Sequence, residues 1–381
     1  MKILAALALT GGALTPCLWD SDTLDDELRG IPEAFDLVVG KWHRHSDAYY
    51  EDRVTRFADE ASLSLSDCDD LAVAHERLGD RVAAVAVMEK KAALLLTTPT
   101  AEHQYRYHAN LGTFHAHAGE FEAALRELRT AVALNPDAHF GREGFQIELV
   151  AYVAAAREDP ELWQRFSFLR YAGYKLNPLI AADGLHYAPD DSNRWSEDWR
   201  GARELEWDKA YRAVAGMLRF GGLEGPELYR SLAELFLVKR HLNLAWWALE
   251  RAVERGHPAA DLLREGQAGI LKHWDEARRY VAKTPRPPSR ERVREVRARA
   301  EQWVAVFQRE EAAAVARGDD VRSDAALSAL IATADAAVGG ARGGHRVDWG
   351  RALTMVAAAV GCLLLARWLH LRARLRRGFG A

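Results

Sequence analysis

The chain has 381 residues, with 51 basic and 55 acidic side chains and a formal net charge of −4 at pH 7. This length is enough for two or three domains or for one extended repeat array. The near balance of charges excludes the overall positive field that draws many proteins to nucleic acid, so we expect no nucleic-acid partner.

The N-terminus, residues 1–16, is predicted to be a secretory signal peptide. Lys2 is followed by an apolar run of about a dozen residues, which is too short to cross a bilayer and typical of a signal sequence. Acidic residues follow at Asp20 and Asp22. We therefore expect export of the chain behind the signal.

Residues 17–62 are predicted to form short N-terminal helices. Thr23 followed by Asp26 has the pattern of a capping box, and Pro32 suits the first turn of a second helix. Ser46 is the expected N-cap of a further helix.

The carboxylates and histidines of this region are interpreted as structural. The acidic residues from Asp20 to Glu27 lack the spacing of a calcium-binding loop, which leaves helix capping and solvation as their role. His43 and His45 flank Arg44, whose charge disfavours a metal ion. We expect both histidines to pack at the surface.

Cys17 and Cys68 are a candidate disulfide. After export the two residues would share an oxidising compartment. Cys68 also suits a small core position, and the sequence leaves both alternatives open.

The clearest helical pattern lies between residues 105 and 138. It predicts one helix, a tight turn at Gly119, a second helix and a stop at Asn135-Pro136. Small residues stand where the two helices must touch, and larger apolar residues such as Leu111 flank them. The small contact residues are Gly112, Ala124 and Ala131.

These positions, together with Phe121 and Pro136, fall at the spacings of the tetratricopeptide repeat, whose unit is about 34 residues long. The stretch resembles that family. The resemblance implies a helix-turn-helix unit that stacks on its neighbours into an α-solenoid and holds another protein, without catalysis and without a cofactor.

Further copies of the unit are predicted on both sides. An upstream copy aligns at a constant offset of 40 residues, and a weaker one begins near His139. The aligned pairs are Leu71 with Leu111, Gly79 with Gly119 and Ala84 with Ala124. We place the repeats at 63–183, a polar loop at 184–200 and repeat-like helices at 201–283. In this last region the packing positions are Ala245 and Ala252, and Arg240 replaces the turn glycine.

Residues 284–338 are predicted to be a charged helical segment. Ser289 is the expected N-cap of its long helix, and one apolar seam runs from Val293 to Phe307. We expect this seam to fold back on the solenoid, and pairing with a partner helix is the alternative. Residues 339–348 are predicted to be a flexible tether.

Residues 349–368 are predicted to be one C-terminal transmembrane helix, about 30 Å long and bounded by Trp349 and Trp368. Arginines continue into a basic tail, 369–381, which favours a cytoplasmic C-terminus. We expect a single-pass protein of the bacterial cytoplasmic membrane, with the bulk of the chain in the periplasm. Small residues recur at every fourth position from Gly350, so a homodimer through the span is an alternative.

The exported part also resembles a loose group of exported bacterial tetratricopeptide proteins. The shared segments include CLWDSDTL at 17–24 and GKWHRHSDAYYEDRV at 40–54. This resemblance implies no particular activity.

Some tetratricopeptide domains clamp a peptide carboxylate with basic residues and Asn at the second and sixth positions of successive first helices. Here these positions hold Ser66 and Asp70, then Arg106 and Asn110, then Phe140 and Gly144. Only the middle unit fits, and Asp70 would repel a carboxylate. The residues expected to line a concave groove are Arg106, Asn110, Thr113 and His117, with a solvated face as the alternative.

The leading hypothesis is a membrane-anchored extracytoplasmic scaffold that binds an unknown protein in an envelope, secretion or assembly process. A polysaccharide- or peptidoglycan-binding accessory protein is the second. Its candidate stacking residues are Trp195, Trp199, Trp207, Trp246 and Trp247. A metal-dependent enzyme is the third. Its candidate ligands are His75, His103, His108, His115 and His117, but His75 and His115 hold the same packing position, so we expect no metal site.

Overall fold

A computed structural model describes residues 18–22, 32–57, 63–136, 141–176, 179–181, 184–186, 203–221, 225–278 and 287–338. The predicted signal, tether, span and basic tail lie outside these residues, as does Cys17. Within the described ranges, no helix is both long and apolar enough to cross a membrane. The chain divides into two compact units, 1–334 and 335–381. Of the described residues, 335–338 belong to the second unit.

The described part is helical apart from one short hairpin, which confirms the all-α class. Its elements in chain order are α1 (Ala34–Val39), α2 (Asp47–Arg56), α3 (Leu65–Arg77), α4 (Arg81–Thr97), α5 (Ala101–Ala118), α6 (Phe121–Leu134), α7 (Arg142–Glu158), α8 (Leu162–Arg165), α9 (Phe168–Tyr171), β1 (Leu179–Ala181), β2 (Gly184–His186), α10 (Trp207–Phe220), α11 (Pro226–Val238), α12 (Leu242–Glu254), α13 (Ala260–Arg278), α14 (Arg290–Ala316) and α15 (Asp324–Ala337).

The limits of the first two helices follow from their sequence. α1 stops at Gly40, whose φ of 82° lies in the left-handed region that favours glycine. α2 starts after Ser46, whose hydroxyl oxygen accepts a hydrogen bond from the amide of Tyr49 at 3.4 Å. Ser46 is therefore the N-cap that the sequence predicts.

Two helical hairpins, α3 with α4 and α5 with α6, lie at the centre of the predicted repeats. Gly79 and Gly119 form their turns, with φ of 83° and 77°. Ala84 and Ala124 are buried at the helix contacts. Of the other positions predicted to shape the repeats, Leu71, Gly112, Ala131, Ala245 and Ala252 are buried, Leu111 is half-buried and Pro136 is exposed.

Gly112 lies at a close contact between α5 and α6. A Cβ atom at this position would lie 2.8 Å from Cγ of Leu128 and 3.1 Å from the Leu128 backbone nitrogen. The second contact is with backbone, which cannot move aside as a flexible side chain can. The absence of a side chain at Gly112 therefore sets the distance between the two helices.

We expect Gly112→Ala to lower the free energy of unfolding by about 1–3 kcal/mol, because the added methyl group overpacks the helix contact. Gly144→Ala is the matched control. Gly144 is also helical, but a Cβ atom added there would have no neighbouring atom within 4 Å, so this change should stabilise the chain by about 0.5–1 kcal/mol. Urea denaturation of the two variants measures both values, and equal effects would contradict the packing argument.

The third predicted unit departs from the helical hairpin. α8 and α9 are short and both pack against α7 in place of a single second helix. Residues 179–186 then form the antiparallel hairpin of β1 and β2, in which Ile180 pairs with Leu185. The boundary predicted between the repeats, 63–183, and the loop, 184–200, therefore falls within this hairpin, with β1 before it and β2 after it. Ile180 and Leu185 are buried, and Ile180 lies against Gly266 of α13.

The last helical hairpin is formed by α11 and α12. Arg240 stands in its turn with a φ of 58°, the conformation that glycine adopts in the two earlier turns. α11 is buried along nearly its whole length, including Glu227, Arg230 and Glu234. This helix therefore lies inside the fold, and its charges need partners there.

α14 folds back on the beginning of the chain. It packs against α2 and α1, and its Ser289 hydroxyl accepts a hydrogen bond from the amide of Arg292 at 3.3 Å. The buried positions include Val293, Ala300, Trp303 and Phe307, which form the predicted seam. The seam therefore contacts the chain's own helices.

Candidate functional site

Residues 18–22, here called the N-terminal segment, lie against the first helices of the two central hairpins. Residues 18–20 have no regular secondary structure, and Ser21 and Asp22 are helical. Leu18 is 1% exposed and packs in one apolar cluster with Cys68 and Leu71 of α3 and Phe114 of α5. The segment is thereby anchored between α3 and α5.

Asn110 of α5 holds the backbone of the segment. Its Oδ1 accepts a hydrogen bond from the Trp19 amide at 2.7 Å, and its Nδ2 donates to the Trp19 carbonyl oxygen at 2.9 Å. Nδ2 also donates to Oδ1 of Asp69 at 3.1 Å. Asp69 in turn forms a buried ion pair with Lys91 of α4. This network fixes the carboxamide of Asn110 in the orientation that matches a peptide backbone.

The indole of Trp19 lies among polar and charged groups of α5 and α7. Its Nε1 donates to the hydroxyl of Tyr105 at 3.1 Å, and that hydroxyl donates to Glu143. The two rings meet edge to face, with centroids 5.4 Å apart. The guanidinium of Arg106 lies 5.4 Å from the indole centroid. These contacts favour an aromatic residue with a hydrogen-bond donor.

Asp70 of α3 receives the next part of the segment. The Ser21 amide donates to Oδ1 of Asp70 at 2.7 Å, and the Ser21 hydroxyl donates to Oδ2 at 2.8 Å. Asp70, Tyr105, Arg106 and Asn110 together are called the segment-binding face below.

Arg53 of α2 binds the acidic side chains of the segment. This side chain is buried and forms ion pairs with Asp20 at 3.0 Å and with Asp22 at 2.7 Å. The hydroxyl of Tyr49 also donates to Asp22 at 2.8 Å. One guanidinium thus binds two carboxylates of the segment.

α14 holds α2 in this position. Glu311, which is fully buried, accepts a hydrogen bond from the Ser46 amide at 2.6 Å and another from the Ser46 hydroxyl at 2.8 Å. Nδ1 of His45 lies 2.6 Å from its other oxygen, and the His45 ring stacks on Tyr49 at 3.9 Å between centroids. α14 therefore supports the residues that contact the N-terminal segment.

The carboxyl groups around Arg53 differ in their acidity. Burial raises the pKa of Asp70 from 3.8 to about 6, against the opposing effect of Arg53, and repulsion from Asp20 adds to the rise. For Asp22, burial alone would also raise the pKa, but Arg53, His45 and the hydrogen bond from Tyr49 outweigh burial and lower it. Asp70 is therefore the carboxyl of this cluster that gains a proton near neutral pH.

A pH dependence follows from Asp70. Its raised pKa means that the protonated form is favoured in the folded chain. The contribution of protonated Asp70 to the free energy of unfolding is therefore complete below pH 3.8 and is lost as the pH rises through about 6. We expect Asp70→Asn to be more stable than the wild type at pH 7.5 and to lose this advantage by pH 4. Between these values the difference should change by at most about 1.4 kcal/mol per pH unit, the limit for one proton.

Urea denaturation of both chains across this pH range measures the difference. Glu89→Gln, which removes the same charge from an exposed position of α4, should show no such trend. A stability difference that does not depend on pH would contradict the assignment to Asp70.

The four residues predicted to line an open groove are not open to solvent. Asn110, Thr113 and His117 are buried, and Arg106 is half-buried. Thr113 accepts a hydrogen bond from Gln146 of α7 at 3.1 Å, and Nδ1 of His117 lies 2.6 Å from Glu76 of α3. Adjacent first helices are close enough to cover these two side chains. Arg106 and Asn110 do lie together on one face, but the chain's own segment covers them.

Three of the six positions compared with the tetratricopeptide clamp nevertheless contact the segment. Asp70, Arg106 and Asn110 all do so. We interpreted Asp70 as a residue that repels a carboxylate. Here it receives an amide and a hydroxyl group, while Arg53 of α2 binds the carboxylates.

The candidate metal ligands contact different carboxylates. His108 lies 2.7 Å from Glu127 and His115 lies 2.6 Å from Glu120. Among the residues that the structure describes, no three His, Cys, Asp or Glu side chains are placed to hold a metal ion. The thiol of Cys68 is free and buried.

The candidate stacking tryptophans are only partly available for comparison. Trp195 and Trp199 lie outside the described residues. Trp246 and Trp247 are buried in α12, and Trp207 stacks on Tyr211 with ring centroids 5.0 Å apart. Trp246 and Trp247 therefore pack within the protein, and Trp207 is half-buried.

Sequence reasoning missed the role of Asp20, Asp22 and His45. We assigned the carboxylates to capping and solvation and the histidine to surface packing, and both interpretations are wrong. These residues and Arg53 belong to the two segments, 17–24 and 40–54, that carry the resemblance to the exported bacterial group. That shared resemblance could have indicated that the residues of the two segments interact.

No protein-family model matches the chain, and neither a curated protein nor a solved structure matches it.

Proposed function

We propose that the chain is a non-catalytic scaffold of the tetratricopeptide type, whose segment-binding face holds a short segment of another protein. The observation that carries the proposal is the pair of hydrogen bonds from Asn110 to the amide and carbonyl of Trp19. Bonds to both backbone groups recognise a peptide irrespective of its side chains, and the neighbouring groups then select among sequences.

The architecture supports this proposal. Helical hairpins with glycine turns at Gly79 and Gly119 resemble the repeats of that family. The buried network of Asn110, Asp69 and Lys91 keeps the carboxamide oriented before a ligand arrives. Such preorganisation reduces the entropy lost on binding.

The proposed cellular location of the scaffold rests on the sequence alone. A signal at 1–16, a span at 349–368 and a basic tail at 369–381 would place the repeats on the outer side of the cytoplasmic membrane and keep a bound partner near it. Protease treatment of spheroplasts tests this topology. Digestion of the repeat region with retention of a short C-terminal fragment is expected, and a fully protected repeat region would contradict it.

Crosslinking in cells tests the function. A photoreactive amino acid at Glu102, which is exposed in the first turn of α5 beside Arg106, should capture one specific protein. The same group at Val82, which is exposed on α4, is the control. Equal yields from both sites, or no capture from Glu102, would overturn the scaffold proposal.

A further inference from the structure

We propose that the segment-binding face takes, from a partner protein, a segment of the pattern aromatic–acidic–small–acidic, and that residues 18–22 of this chain compete for the face in cis. This inference rests on the proposed function and specifies its ligand. Each position of the pattern follows from a contact of the N-terminal segment.

The first position requires an aromatic ring with a donor. Trp19 packs in a cluster with Tyr105, Ala109 and Ala131, and its Nε1 donates to Tyr105 at 3.1 Å. The Tyr105 hydroxyl is already a donor to Glu143, so it can only accept from the ligand. Phe would fill the space but would leave this oxygen without its donor.

The second and fourth positions require carboxylates. Arg53 donates from two different nitrogen atoms to Asp20 and to Asp22, and Tyr49 donates to the second of them. A ligand with amides in place of these acids would remove the two carboxylates that contact the buried guanidinium, which is costly inside a protein.

The third position requires a small residue that donates hydrogen bonds. Ser21 donates twice to Asp70. A carboxylate at this position would lie next to the carboxylate of Asp70 and would be repelled. Discrimination at this position is thus by repulsion as well as by attraction.

The same contacts explain how a ligand can exchange with the cis segment. Asp20, Asp22 and Asp70 surround the single guanidinium of Arg53, with His45 at 3.9 Å from Asp22 as a second basic group. Asp20 and Asp70 repel each other, which opposes docking of the segment. Tethering in cis gives the segment an effective concentration in the millimolar range or so, which a partner must overcome.

Fluorescence anisotropy tests the inference with a labelled peptide of residues 18–28, LWDSDTLDDEL. The full chain with Trp19→Ala, in which the cis segment loses its ring contacts, should bind this peptide at least ten-fold more tightly than the wild-type chain. A peptide with Ser21→Asp should bind the same variant at least ten-fold more weakly. Equal affinity for both chains, equal affinity of both peptides, or no binding to a folded Trp19→Ala chain would overturn the inference.

A second measurement covers the case in which Trp19→Ala does not fold. In the wild-type chain, an excess of the peptide should accelerate hydrogen exchange of the Trp19 and Ser21 amides, which the face protects, and should leave the α6 amides unchanged. Unchanged exchange at both amides would overturn the inference.

The two proposals fail in different ways. Capture of a partner from Glu102 without peptide binding would retain the scaffold and reject the ligand pattern. Peptide binding without capture of any protein in cells would restrict the face to its cis segment and reject both the scaffold and a ligand from a partner.

Discussion

Replacing Arg53 with Met should lower the free energy of unfolding by about 3–5 kcal/mol, the usual cost of removing one partner from a buried ion pair. Arg53 is 2% exposed, and its guanidinium is bound to Asp20, which is 4% exposed, and to Asp22. Methionine has a similar apolar volume but leaves both carboxylates without their cation. The N-terminal segment should therefore leave the face, and its amides should lose protection against hydrogen exchange.

Arg56→Met is the matched control, one turn further along α2. Arg56 pairs with Asp52 at 2.7 Å on the surface, where both side chains are about one-third exposed. Exposed pairs of this kind contribute about 0.3–0.5 kcal/mol. The triple variant Asp20→Asn, Asp22→Asn and Arg53→Met should recover part of the loss, because the two carboxylates that contact Arg53 are then neutral as well. Similar urea midpoints for Arg53→Met and Arg56→Met would contradict the central role of Arg53.

Replacing Arg170 with Met should also cost about 3–5 kcal/mol, for the same physical reason in a different part of the fold. Nε of Arg170 in α9 donates to Glu234 of α11 at 3.1 Å, and both side chains are buried. Ser167 donates to the other carboxylate oxygen. Without Arg170, Glu234 would keep the hydrogen bond from Ser167 but lose the cation that contacts it.

A double-mutant cycle measures the interaction energy between Arg170 and Glu234 separately from their other contacts. Arg170→Met combined with Glu234→Gln should cost clearly less than the sum of the two single changes, because each single change leaves one charge unpaired. Arg165→Met, which breaks the exposed pair with Asp159, should have little effect. Additive effects in the cycle, measured by urea denaturation of the full chain, would show that the two residues do not stabilise each other.

Local sequence patterns predicted the helix caps and the turns of the structure. The caps at Ser46 and Ser289 and the turns at Gly79 and Gly119 depend on residues a few positions apart, and the pattern identified all of them. Helix contacts at Ala84 and Ala124 follow from the same short-range periodicity.

The hairpin at residues 179–186 shows where a short-range pattern was overridden. The sequence pattern placed a weak repeat up to 183 and a loop from 184, and β1 and β2 form at this boundary and pack against α13. Burial of Ile180 and Leu185 against a helix some eighty residues later in the chain decides this conformation. No local propensity contains that information.

Two of the four predicted groove residues lie on the segment-binding face. The family's clamp positions identified Arg106 and Asn110, and both contact a peptide segment. That segment belongs to the chain itself, and its carboxylates bind Arg53 on another helix. The sequence distance between Trp19 and Asn110 is 91 residues, and periodicity within one helix cannot reveal such a pairing.

The amino-acid sequence by itself thus determined the helices, their ends and the small residues at their contacts, because these depend on backbone preferences and on neighbours within a few turns. Only the tertiary structure decided what lies on the segment-binding face and which buried charges neutralise one another. Those outcomes depend on the free energy of removing charged and polar groups from water, and that free energy is set by partners that meet only when distant parts of the chain fold together.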